Sequence, residues 1–121
     1  MHDFRHIKAW QRGHALYIAV TKLTRGFTRK GFSQLRTQLN RSAESMPATI
    51  VEGCGAESNK EFARYLDMSI KSANETEYHL LEARDLGLIS PDDWQRFTAE
   101  TIEIRKMIFG YRSKLRRSDE E

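Results

Sequence analysis

SMPATIVEGCGAESNKEF, Ser45 to Phe62, is the stretch on which the fold turns. A proline sits within spacing that otherwise reads as a helix, two glycines flank the single cysteine, and a helix-start signal follows. A phosphate-cradling loop, a redox site and a corner between two long helices all compete for it. GCG lacks the third glycine and the preceding strand of a dinucleotide fingerprint, and no Gly-Lys-Ser/Thr follows to make a Walker loop. Cys54 precedes a helix N-terminus, which favours a thiolate, but a nucleophile needs a base and no histidine adjoins it. The corner remains. Pro47 removes one amide and kinks the second helix without ending it, while Met46 and Ile50 keep its apolar face in register. Gly53 and Gly55 let the chain leave that helix. Ser58-Asn59-Lys60-Glu61 then opens the third as a capping box, Ser58 covering a free amide and Glu61 reaching back.

Working outward, apolar residues recur at helical spacing on both sides. Leu16, Val20, Leu23 and Phe27 mark a first helix, and Leu35, Leu39, Ala43, Met46 and Ile50 mark the second. Phe62, Leu66, Ile70, Ala73, Glu77 and Leu80 share a face of the third. Trp94, Phe97, Thr101, Ile104, Ile108, Tyr111 and Leu115 alternate steps of three and four, a heptad seam of the left-handed bundle kind. Ser90-Pro91-Asp92-Asp93 starts the fourth helix with a cap, a first-turn proline and two carboxylates. Gly87 closes the third helix in a left-handed conformation, RGFTRKGFS (Arg25 to Ser33) forms the first corner, and the tail SDEE frays. The expectation is an all-α, antiparallel up-down-up-down four-helix bundle filling residues 1–121 as one domain, with helices about 5–26, 32–53, 59–86 and 91–117.

Composition narrows the class. No run of about 18 apolar residues predicts a membrane span, and the N-terminus MHDFRHIKAW lacks the apolar core of a secretory signal. One cysteine fits a reducing compartment, so a cytoplasmic protein is expected. A net charge of +3 conceals an uneven distribution. Residues 1–50 hold nine Lys/Arg against two Asp/Glu, residues 51–100 five against eleven, and residues 101–121 six against four.

No catalytic set assembles. A di-iron bundle needs Glu-x-x-His on two helices, and the chain has none; Glu75, Glu77 and His79 stand at the wrong spacing, and His2 and His6 lie at the terminus. No metal, no cofactor and no enzymatic activity are therefore expected. Basic residues are the remaining signal. The bundle topology brings the start of helix one to the end of helix four, gathering Arg5, Lys8, Arg12, Arg105, Lys106, Arg112, Lys114, Arg116 and Arg117 beside Trp10 and Tyr111. At the other end, Arg25, Arg29, Lys30 and Arg36 approach Glu82, Asp85, Asp92 and Asp93 and are offset. The nine gathered cations predict RNA or DNA binding, directed at the backbone and salt-dependent. The alternative is a protein-interaction scaffold whose charges serve solubility and subunit pairing. Ile102 and Phe109 lie just beyond the heptad seam and are the expected subunit contact.

FRHIKAWQRGHALYIAVTKLTRGF, SQLRTQLNRSAESMPATIVEGCG and SNKEFARYLDMSIKSANETEYHLLEARDLGLIS together resemble the 23S rRNA intervening-sequence protein family. The resemblance covers nearly the whole chain. It implies a closed four-helix bundle that assembles into a homopentamer and has no enzymatic activity. Relatives include the accessory variability determinant of diversity-generating retroelements, a basic pentamer that binds nucleic acid and partners a reverse transcriptase. Both nucleic acid and a protein partner are thereby implied. Cys54, Ala56 and Glu57 stand where relatives often carry Phe and then Arg or Lys, so the basic surface is expected on helices one and four rather than at this corner.

Overall fold

The computed structural model describes residues 2–120, the side chains of 119 and 120 excepted. A short 3-10 turn, Phe4–His6, leads into α1 (Lys8–Leu23), followed by α2 (Ser33–Cys54), α3 (Asn59–Asp85) and α4 (Pro91–Glu120). Among the described residues there is no strand, and no helix is long and apolar enough to cross a membrane. Ser118 to Glu120 of the SDEE tail, expected to fray, continue α4 instead, and Glu121 lies outside the described residues.

Local chemistry explains the helix boundaries. Ser58 Oγ accepts the Glu61 amide at 3.1 Å, and Ser90 Oγ accepts the Asp93 amide at 3.0 Å. Each satisfies a donor that the first helical turn leaves without an intrahelical partner. Glu61 does reach back, but to the amide of Glu57 at 3.1 Å, one residue beyond the usual capping-box partner. Gly87 takes φ +72°, and the Leu88 amide then reaches the Ala83 carbonyl at 2.9 Å, ending α3 in a Schellman motif. Gly31 at φ +90° does the same for the turn after α1, with Phe32 N–H bonding Phe27 O at 2.9 Å. That turn, together with the separate Phe4–His6 element, makes α1 shorter than its apolar spacing predicts.

The expectation for Gly53 needs correcting. It lies inside α2 with no positive φ, so conformational freedom is not its role. A Cβ there would meet Phe62 Cδ1 at 2.6 Å and Tyr65 Cβ at 3.0 Å. The residue is glycine because the first turns of α3 pack directly on the α2 backbone.

Each helix packs on its chain neighbours, and α1 closes on α4. The four predicted stripes supply the core: Leu16 and Val20; Leu39, Met46 and Ile50; Phe62, Leu66 and Leu80; Ile104 and Ile108. In α3 the polar residues at the core are Ser69, Ser72 and Thr76, all buried, and not Glu77, which turns aside to meet Arg105. Hydroxyls join α2 to α3: Ser69 donates to the Met46 carbonyl (2.8 Å), Ser72 pairs with Ser45 (2.8 Å), and Thr76 pairs with Ser42 (2.9 Å). Residue numbers rise along α3 as they fall along α2. Pro47 is buried within α2 against Gly13 of α1, whose missing Cβ would sit 3.7 Å from the proline ring, an ordinary contact distance.

Candidate nucleic-acid interface

The nine cations expected to form one surface fall into two sets. Arg12, Arg105 and Arg112 are tied to acids on other helices. Arg12 grips Glu100 through both Nε and Nη2, Arg105 Nη1 meets Glu77 (2.6 Å) and Asn74 (2.9 Å), and Arg112 faces Asp67 with Nε at 2.5 Å and Nη2 at 3.3 Å. These side chains are partly buried and bridge α1 to α4 and α3 to α4. An arginine fork engaged in this way is first an interhelical fastener. Lys8, Lys106, Lys114, Arg116 and Arg117 are exposed, and Arg5 lies at the surface with its guanidinium over the Phe4 ring and near Asp3. The two aromatics expected beside them are engaged already: Trp10 stacks on His14, and Tyr111 hydroxyl bonds His2 Nδ1 at 2.9 Å.

Two cations that sequence reasoning passed over complete a cluster. Lys60 and Arg64 of α3 line a groove of about 350 Å³ together with Arg112 and Arg116 of α4, and Asn59, Ala63 and Asp67 form the rest of its wall. The signal was in the sequence: Lys60 and Arg64 are one turn apart, as are Arg112 and Arg116. Only the pairing of α3 with α4 brings the two pairs together. At the other end of the molecule, three of the four acids expected to offset Arg25, Arg29, Lys30 and Arg36 pair with other residues. Asp85 bonds Arg84, Asp93 bonds Arg96, and Glu82 bonds His79 Nδ1 at 2.6 Å.

The corner cysteine is not poised for chemistry. Cys54 is the last residue of α2 and is buried; burial pushes its thiol pKa up, and the Asp3 carboxylate adds to the effect. This reverses the helix N-terminus expectation, because desolvation disfavours the thiolate. Tyr111 nearby is likewise raised by burial and then by Cys54. Among the described residues, no three His, Cys, Asp or Glu side chains converge as a metal site. Ile102 is half-buried and Phe109 half-exposed on α4, the latter in company with Tyr78, Met68 and Leu86 as the most exposed large apolar side chains.

Four helices packed in a ring, with no strand among the described residues, place the chain among four-helix-bundle-like all-helical proteins. It belongs to the 23S rRNA-intervening sequence protein family, whose model matches residues 5–110. A solved structure with the same fold is a protein of unknown function from the S23 ribosomal protein family of Bacteroides thetaiotaomicron VPI-5482. It is 22% identical with a TM-score of 0.81, and the match covers 87% of this chain and 95% of that one. At that identity the likeness concerns fold alone. No curated protein sequence matches the chain.

Proposed function

We propose that the chain is a non-enzymatic cytoplasmic adaptor that binds RNA or DNA through a cationic surface and assembles as a homopentamer. In this reading the helices run up-down-up-down, and α2 is kinked at Pro47. The single observation that carries the nucleic-acid reading is the sorting of the cations. Three arginines are spent on interhelical ion pairs, while Lys8, Lys106, Lys114, Arg116 and Arg117 stand exposed on α1 and α4. Exposed cations on rigid helices suit phosphate contacts, which fix position without reading sequence. The family's name, which refers to an rRNA intervening sequence, agrees with a nucleic-acid role.

The topology is supported by the opposite register of the α2–α3 hydroxyl pairs and of Arg105–Glu77 and Arg112–Asp67. The kink is supported by a proline inside a helix, where the ring lacks an amide for the Ala43 carbonyl. Phe109, 50% exposed, and Ile102 supply apolar surface for subunit contact. That same exposed apolar surface also favours a second reading, a protein-interaction scaffold without a nucleic-acid role.

Filter binding to structured RNA and duplex DNA separates the two. The adaptor is expected to bind at low salt and to weaken by orders of magnitude between about 50 and 200 mM salt. No binding at low salt, with no nucleic-acid absorbance carried through purification, refutes it in favour of the scaffold. Light scattering is expected to give five times the 14.1 kDa chain mass, and a monomer refutes the assembly.

A further inference from the structure

We infer that a phosphodiester backbone seats in the groove between α3 and α4, held by Lys60, Arg64, Arg112 and Arg116. This rests on the nucleic-acid reading above and gives it a location beside the corner, where the sequence had directed attention away.

The groove combines four cations with one carboxylate, Asp67. Three other clefts among the described residues hold no excess of cations: one between α2 and α3 sets Arg64, which it shares with the groove, against Glu52 and Glu61, one between α1 and α4 sets Arg96 against Glu100, and one between α3 and α4 holds Glu77 with Tyr78 and Trp94. Lys60 and Arg64 project from α3 one turn apart, roughly 5–6 Å between Cβ atoms, and Arg112 and Arg116 do so from α4. Like charges at that spacing repel, so the fold holds this arrangement against a local cost. Lys60 breaks a second rule. It lies in the first turn of α3, where the helix dipole is positive and a cation is disfavoured. Local rules broken without a compensating contact mark positions kept for a ligand, here an anion.

Asp67 offsets only part of the groove's charge. Its carboxylate lies against the Nε and Nη2 side of Arg112, and Lys60, Arg64 and Arg116 leave the groove positive. Both helices are rigid supports, and Asn59 adds an amide to the wall. A phosphate entering here meets preorganised donors from two helices, contacts that hold a backbone and carry no base information.

The test compares the full chain with a groove variant, Lys60→Gln/Arg64→Gln/Arg116→Gln, and with a control on exposed cations outside the groove and the α1–α4 surface, Lys22→Gln/Lys30→Gln. Arg112 is left in place because it fastens α3 to α4. Circular dichroism and thermal melting verify that both variants fold. Binding to an RNA hairpin and to a DNA duplex of matching sequence is measured across salt. The expected result is a loss of roughly tenfold or more for the groove variant at low salt, with the salt slope reduced by about 0.7–0.9 per cation removed and the control nearly unchanged. Preference between the two probes tells which nucleic acid supplies the phosphates. Wild-type binding that the groove variant retains, or that the control loses equally, overturns the groove while leaving the function standing. Absence of wild-type binding to either probe overturns both.

Discussion

Replacing Gly53 by alanine tests the account of the α2–α3 corner directly. The added methyl would lie 2.6 and 2.8 Å from two carbons of the Phe62 ring and 3.0 Å from Tyr65 Cβ. The ring has little room to retreat. Phe62 is 2% exposed, with the His2 and Tyr111 ring centroids 4.9 and 5.7 Å from its own, and Tyr65 Cβ is fixed to the α3 backbone. Overpacking of this kind costs about 1–3 kcal/mol. Alanine returns up to about 1 kcal/mol through helix propensity, because Gly53 is helical. The net expectation is a loss of about 1–2 kcal/mol, roughly 3–8 °C in Tm for a chain of this size. Gly13→Ala is the matched control: its Cβ would meet Pro47 at an ordinary 3.7 Å, so the propensity gain stands and the variant is expected to be slightly more stable. Thermal and urea unfolding followed by circular dichroism measure both. A Gly53→Ala protein as stable as wild type, or equal effects from the two substitutions, would refute the packing argument.

Asp67→Asn removes the carboxylate facing Arg112, whose side chain is 19% exposed. About 1 kcal/mol of stability is expected to be lost in urea unfolding, modest because Asp67 itself is partly solvated. The same change raises the charge of the α3–α4 groove, so RNA affinity is expected to rise in filter binding even as stability falls. Cys54 is expected to react slowly with a thiol reagent in the native protein and rapidly once unfolded, since burial raises its pKa. For Cys54 and Tyr111, both raised, the linkage sign is set by the unfolded state losing its protons first. Their contribution is fully present below the ordinary thiol and phenol range and is lost as pH rises through it. Urea midpoints are therefore expected to fall between about pH 7 and pH 10; a midpoint that rises contradicts the burial of both groups.

Periodicity and punctuation made the helices legible. The heptad seam of α4 and the caps at Ser58 and Ser90 act within a turn or two of the chain, so adjacent residues specify them. Glu77 illustrates the limit. Its spacing suits the core face of α3, but one position away Thr76 can bond the Ser72 carbonyl and meet Ser42, while a carboxylate does better beside Arg105. Cys54 shows the same limit in chemistry: nearness to a helix start in sequence predicted a lowered pKa, and burial against neighbouring elements raised it.

The sequence by itself determined four amphipathic helices, their corners, a basic first half and the absence of a catalytic motif. Those properties depend on local spacing and on residue type. Tertiary structure decided which charges are spent and which remain. Arg12 and Glu100 stand 88 positions apart and Arg112 and Asp67 stand 45 apart, so no local pattern can announce either pair. Nor could spacing show that Lys60 and Arg64 face Arg112 and Arg116, because a charge acts over a few ångströms of space and is indifferent to distance along the chain.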